Sequence, residues 1–289
     1  MISMNNTLLI VTGASRGLGR AIGVAFASSS SFRKLCCLLV ARSQSGLEET
    51  ASLMRKAAAA LAAAHGDTAD EFKLDIFCIV ADLSDMDTLE ETVSDLLERV
   101  TKQGSSSTFD RAILINNAGS LGYLGKCSEI SSLANLKKAV DFNVTSSSWV
   151  SSQFVRKFSS SSSSENGKGT CIVVVNISSL CAIEPFSTMS IYCAGKAARD
   201  LFHSVLAKES SADVAVNVRV LNYAPGMCET AMSAELAESD RLDSELSSMY
   251  RTALSDKTMV QPKDTAEKLV EIIHRNEWEN GKHIDFWDE

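Results

Sequence analysis

The chain has 289 residues, 45% of them hydrophobic, with a formal net charge of −8 and a pI near 5.2. An acidic balance of this kind argues against nucleic acid and anionic membrane surfaces as partners. Three prolines and no Pro/Gly-rich linker imply one domain across residues 1–289, built on one large core.

No segment reaches the ~18 uncharged apolar residues of a spanning helix, and Leu8–Val11 is too short for a signal-peptide core. A soluble, cytoplasmic protein is therefore expected. The eight cysteines (36, 37, 78, 127, 171, 181, 193 and 228) have no CxxC spacing and no paired histidine. Reduced thiols, mostly in apolar strands, are expected, with no metal site and no disulfide framework. The Asn-x-Ser/Thr matches at Asn5, Asn143 and Asn176 are then chance.

In chain order, the strand candidates are Leu8–Thr12, Leu35–Ala41, Phe77–Ala81, Arg111–Ile115, Cys171–Ile177, Val216–Leu221 and His283–Phe286. Helical patterns separate them: Gly17–Ser28, the Ala-rich Gly46–Ala64, and Asp85–Thr101 with acidic residues at its start. A long pattern over Leu133–Phe158 spaces Val150, Phe154 and Phe158 by four, as on one helix face. Serine runs at 28–31, 105–107 and 159–164 interrupt this order, the last read as a solvated surface insertion. Alternating short apolar strands and helices predict an α/β fold, a Rossmann-type doubly wound parallel sheet of about seven strands in three layers, α/β/α.

The first strand runs into Thr12-Gly13-Ala14-Ser15-Arg16-Gly17-Leu18-Gly19, which opens a helix. Glycines there allow a tight turn and let backbone N–H groups approach a pyrophosphate at the positive helix end. An NAD site places an acid roughly 20 residues further on, for the ribose 2′-hydroxyl. Here no Asp or Glu precedes Glu48, and the second strand ends in Ala41-Arg42-Ser43. Two guanidinium groups, Arg16 and Arg42, suit a 2′-phosphate, so the expected cofactor is NADPH/NADP.

Tyr192 and Lys196, at i and i+4, share a helix face. An ammonium close to a phenol favours the phenolate and lowers its pKa, which is the shift expected for Tyr192. Ser179, just past the fifth strand, is placed to hydrogen-bond a substrate carbonyl.

These residues, with Asn116-Asn117-Ala118-Gly119, Asn143 and Pro225-Gly226 followed by Thr230, resemble the short-chain dehydrogenase/reductase family across nearly the whole chain. A narrower likeness, to pterin side-chain carbonyl reductases, rests on Leu114–Gly122, Asn176–Ala182, Tyr192–Asp200, Val220–Gly226 and the tail His283–Phe286. The resemblance implies that Tyr192 donates a proton while hydride arrives from the nicotinamide, that Lys196 tunes Tyr192 and binds the nicotinamide ribose, and that Ser179 polarises the carbonyl. It implies that Asn143 holds a proton-relaying water and that Asp82-Leu83 closes on the adenine. Asn117, Ala118, Gly119, Pro225, Gly226 and Thr230 complete the implied cofactor site. Leu180, Cys181, Met189, Tyr223 and Gly226 are implied to line a pterin pocket, with Asp285 anchoring the small-molecule pterin. Met189 stands where the family suggests a bulky aromatic. A homodimer through the Leu133–Phe158 and Ser190–Lys208 helices is implied as well. A general carbonyl reductase of the same family, and a non-catalytic NADPH-binding protein, are the competing readings.

Overall fold

The computed structural model describes residues 6–65, 72–103, 109–159, 170–212 and 217–288. Seven strands run parallel in the order β3-β2-β1-β4-β5-β6-β7. They are β1 (Asn6–Thr12), β2 (Lys34–Ala41), β3 (Lys73–Val80), β4 (Arg111–Asn116), β5 (Cys171–Ile177), β6 (Val218–Ala224) and β7 (His283–Asp285). The chain winds outward from β1 to β3, then returns to the other side of β1 with β4 and winds outward again. Ligands of such sheets bind where the order reverses, outside the carboxyl ends of the strands.

The helices are α1 (Gly17–Ala27), α2 (Gln44–His65), α3 (Leu89–Gln103), α4 (Leu133–Val140), α5 (Ser147–Ser159), α6 (Ser190–Ala212), α7 (Ala231–Glu238), α8 (Ser244–Ser255) and α9 (Pro262–Arg275). The strand period of two divides the core into two layers. Leu9 and Val11 pack with Ile22 and Phe26 of α1 and Leu269 and Ile273 of α9. Leu8 and Ile10 face the other way, toward Val93 and Leu97 of α3 and Phe154 and Phe158 of α5. A sheet covered on both faces requires such unbroken apolar strands.

Several expectations shift. Strand β3 begins at Lys73, not Phe77, because its first residues alternate exposed Lys73 and Asp75 with partly buried neighbours at the sheet edge. Strand β6 runs on to Ala224, and Val216, its expected start, lies outside the described residues. The expected Leu133–Phe158 helix is three pieces, since a π-helical stretch, Asp141–Ser146, separates α4 from α5. Helices α7, α8 and α9 fall in a region with no assigned elements. Asn5, the 105–107 serine run and residues 160–164 of the last serine run lie outside the described residues. Asn143 and Asn176 are buried, which suits the chance reading of their Asn-x-Ser/Thr matches. Cys127 is exposed on a short turn rather than buried in a strand. Among the described residues no helix is long and apolar enough to cross a membrane.

Candidate active site

At the β1–α1 junction Gly13 adopts φ +68°, and a Cβ there would stand 2.8 Å from Asn117 Nδ2. A Cβ at Gly19 would clash with the Gly13 carbonyl, so the turn closes only with glycine at both positions. Asn117 fastens the turn from β4, donating from Nδ2 to Thr12 O at 2.9 Å, while its backbone N–H donates to Thr12 Oγ1 at 3.0 Å. Helix α1 starts with no side-chain cap and no acid in its first turn, leaving its amino-terminal N–H groups for an anion. A cradle with this geometry fits a dinucleotide pyrophosphate.

Beyond the turn, Arg16, Arg42 and Ser43 line the cleft with exposed side chains. Asp82, past the end of β3, lies 3.9 Å from Arg42 and accepts from Ser84 N and Oγ at 2.9 and 2.6 Å. Burial opposes ionisation of Asp82, but the Ser84 hydrogen bonds and Arg42 outweigh it and hold the carboxyl below its ordinary value. Glu48 and Glu49 of α2 bond to Gln44 and Arg20 and do not enter the cleft.

Strand β5 delivers Ser179 to the cleft, where its Oγ accepts from Cys181 N at 3.2 Å, leaving the hydroxyl proton to donate. Tyr192 and Lys196 project from α6 beside it. Lys196 Nζ donates to Ile177 O at 2.6 Å and stands 5.6 Å from the Tyr192 ring centroid. Burial, reinforced by the Arg199 cation, lowers the Lys196 ammonium to about 7. Burial also pushes the Tyr192 phenol above its ordinary value, against the smaller lowering effects of Ser179 and Arg199. The expected depression of Tyr192 by Lys196 is thus reversed, because burial disfavours the charged form of both groups.

Behind this wall lies a buried polar layer that the sequence did not announce. Asn116, Asn176, Asn222 and His283 stand in register across β4, β5, β6 and β7. Fully buried Arg199 donates from Nε to Asn176 Oδ1 at 2.8 Å, from Nη1 to Ala118 O at 2.9 Å and from Nη2 to Asn116 O at 2.5 Å. Asp200 accepts from Asn176 Nδ2 at 2.8 Å and from His283 Nδ1 at 2.6 Å. Burial depresses His203 to about 4, so the ring is neutral: Nδ1–H donates to Arg199 O, and Nε2 accepts from Ser151.

The cleft has a volume of about 1460 Å³, above the ~300–1,000 Å³ typical for one ligand. It gathers Gly13, Ser15, Arg16, Gly17, Leu18, Gly19, Arg42, Ser43, Asp82, Leu83, Asn117, Ala118, Gly119, Ser179, Cys181, Met189, Tyr192, Lys196, Pro225, Gly226 and Thr230. Five expected residues do not line it. Ala14 turns into the core, and its N–H and carbonyl are spent on Val40 O and Thr50 Oγ1. Tyr223 points to the opposite layer and bonds to Thr265, because strand alternation puts it beside Leu221 rather than in the cleft. Leu180 is exposed to solvent. Asn143 is buried, and both ends of its amide bind the Ser120 backbone, at 2.9 and 3.0 Å, so its side chain fastens the 117–120 loop. Asp285 accepts from Trp287 N at 3.1 Å, and its charge is felt at the Cys228 thiol, which does line the cleft. Met232 and Leu236 of α7 and Tyr250 of α8 also face the cleft, without having been among the expected residues.

Residues 7–241 match the family model for short chain dehydrogenase. Over 280 residues the chain is 36% identical to sepiapterin reductase of Rattus norvegicus and 34% identical to that of Mus musculus. These alignments cover 96% of this chain in each case and 95% and 96% of the relatives. The crystal structure of KRED1-Pglu superposes with a TM-score of 0.73 at 21% identity, over 96% of this chain and all of that one, which is a likeness of fold. The glycine cradle and the paired Tyr192 and Lys196 belong to a fold that binds a nicotinamide cofactor. The chain is an oxidoreductase of the short-chain dehydrogenase/reductase family, and a homologue of the sepiapterin reductases.

Proposed function

We propose that this protein uses NADPH to reduce a side-chain carbonyl of a pterin, sepiapterin or 6-pyruvoyl-tetrahydropterin, in tetrahydrobiopterin biosynthesis. The observation that carries the reading is the meeting of Ser179, Tyr192 and Lys196 on one wall of a cleft whose other end is the glycine cradle. The full-length likeness to sepiapterin reductases supports a pterin rather than another ketone as the substrate.

Bound nicotinamide supplies the hydride that reduces the carbonyl carbon. Ser179, beside Tyr192, donates its hydroxyl proton as a hydrogen bond to the carbonyl oxygen. Tyr192, kept protonated by burial, gives its proton to that oxygen as negative charge develops. Lys196 offsets the phenolate left behind, and the buried Ile177 carbonyl holds its ammonium in place. Arg16 and Arg42 take the 2′-phosphate, which favours NADPH over NADH. Asp285 is assigned the pterin's paired N–H donors, and to meet them it exchanges its bond from Trp287 N.

NADPH oxidation with sepiapterin, run beside a simple diketone and repeated with NADH, tests the reading. Turnover of sepiapterin with NADPH is the expected result. Turnover of the diketone alone favours a general carbonyl reductase, and binding of NADPH without turnover of either makes the protein non-catalytic.

A further inference from the structure

We infer that Tyr250 of α8 is a specificity-determining residue, whose hydroxyl donates to a second oxygen on the carbon beside the reacting carbonyl. On this assignment Tyr250 is the group by which the site tells vicinal dicarbonyls and hydroxy ketones, the class to which the proposed pterin side chains belong, from isolated ketones. This rests on the carbonyl-reductase reading above.

The wall around Cys181 is apolar, built from Leu121, Met189, Leu236 and Leu242, and the ring of Tyr250 packs against it. Tyr250 nevertheless lines the cleft, and among the described residues its hydroxyl has no hydrogen-bond partner. Its position is fixed by its neighbours. Ser247 Oγ and Arg251 Nη1 both donate to Ala237 O, at 3.4 and 3.2 Å, tying α8 to the end of α7. Asp243, the amino-terminal cap of α8, donates from its backbone N–H to Thr188 Oγ1 at 2.8 Å, next to Met189 and α6. Helix α8 is thereby held against the wall that carries Tyr192.

Tyr192 and Tyr250 pack on the same apolar cluster as Cys181, Tyr192 feels the charge of Tyr250, and both feel the Cys181 thiol. The two phenols and Cys181 therefore form one cluster, supplied by α6, α8 and the turn after β5. Tyr192 and Ser179 serve the reacting oxygen, and among the described residues the second phenol has no hydrogen-bond partner. Burial pushes Tyr250 up to about 12, so it remains a donor throughout the neutral range. A substrate that covers this donor without offering an acceptor leaves it buried and unpaired, and a site of that kind discriminates against the substrate lacking the oxygen.

The test compares 1-phenylpropane-1,2-dione with 2,2,2-trifluoroacetophenone, an activated ketone with no second oxygen, by NADPH oxidation. Tyr250→Phe and Tyr250→Leu should each lower kcat/KM for the dione about tenfold, about 1.4 kcal/mol. The loss on trifluoroacetophenone should stay under about twofold, with unchanged NADPH affinity and thermal midpoint. Equal losses on both ketones, or none on the dione, overturn the role of Tyr250 while leaving the carbonyl-reductase reading intact. A wild-type protein that reduces only trifluoroacetophenone overturns it too. A wild-type protein that binds NADPH and reduces neither overturns the carbonyl-reductase reading and this inference together.

Discussion

Tyr192 and Lys196 stand one helical turn apart in a buried wall, and each is shifted toward its neutral form. For Tyr192 that means a ready proton. Tyr192→Phe keeps the packing but removes the acid, so kcat should fall at least about 10²-fold with NADPH affinity intact. Stopped-flow turnover and a fluorescence titration of NADPH check this, and a variant keeping a tenth of wild-type kcat sinks the assignment. Lys196, lowered to about 7 by burial and Arg199, is charged below that pH and neutral above it. Its cation offsets the phenolate formed during reduction, so kcat/KM for reduction should decline as pH rises through about 7. Lys196→Arg, charged throughout, should move the decline to higher pH, and a flat wild-type profile between about pH 6 and about 9 contradicts the scheme. Arg42 is largely exposed, so Arg42→Asp disturbs little besides the cofactor. It should turn a preference for NADPH of at least about tenfold into one for NADH. Comparable kcat/KM values for the two cofactors in the wild type refute the phosphate role.

At the scale of elements, the junction of β4, β5 and β6 with α6 is held by polar groups instead of apolar ones. Arg199 joins the carbonyls of Asn116 and Ala118 to Asn176, and so fixes α6, with Tyr192 and Lys196, against the strand ends. Asp200 beside it supplies the compensating charge, which a buried guanidinium requires. Arg199→Met should cost about 3–5 kcal/mol, because it leaves two buried acceptors, the part-buried Ala118 carbonyl and the Asp200 carboxylate without their cation. Thermal unfolding reads this directly at ~2–4 °C per kcal/mol. A midpoint within about 2 °C of wild type shows the layer to be dispensable. The π-helical stretch belongs to the same scale: it interrupts the α4–α5 helix where Asn143 meets the Ser120 backbone.

Across the whole molecule, α6 buries Lys196, Arg199 and His203 and turns Leu201 and Val205 to solvent. Leu133 and Val140 of α4 are exposed as well, which leaves apolar surface on two helices without cover in one copy of the chain. Burial against a second copy is the proposal that fits it, and Leu201→Asp should then shift sedimentation from dimer to monomer. A monomeric wild-type protein rules this out.

Local patterns were legible in the sequence because they need no partner. The glycine turn follows from its own residues and its place between a strand and a helix. Tyr192 and Lys196 share a face by helical spacing alone, and the acid-free stretch before Glu48 is plain composition. Helix α9 carries local signals as well, Pro262 in its first turn and basic His274 and Arg275 in its last, although no helix was assigned there from the sequence. Short, polar-rich α7 and α8 gave no comparable period. What the tertiary structure alone decided depends on strand phase, register and burial. Strand phase sent Tyr223 to Thr265 and away from the cleft. Register aligned Asn116, Asn176 and Asn222, far apart in the chain, into one layer. Packing of α8 brought Tyr250 to the cluster that holds Tyr192, and burial raised the Tyr192 phenol against the direction that the charge of Lys196 implied. Spacing along a chain fixes which side chains share a face, but solvent exclusion and distant partners exist only once the layers have closed.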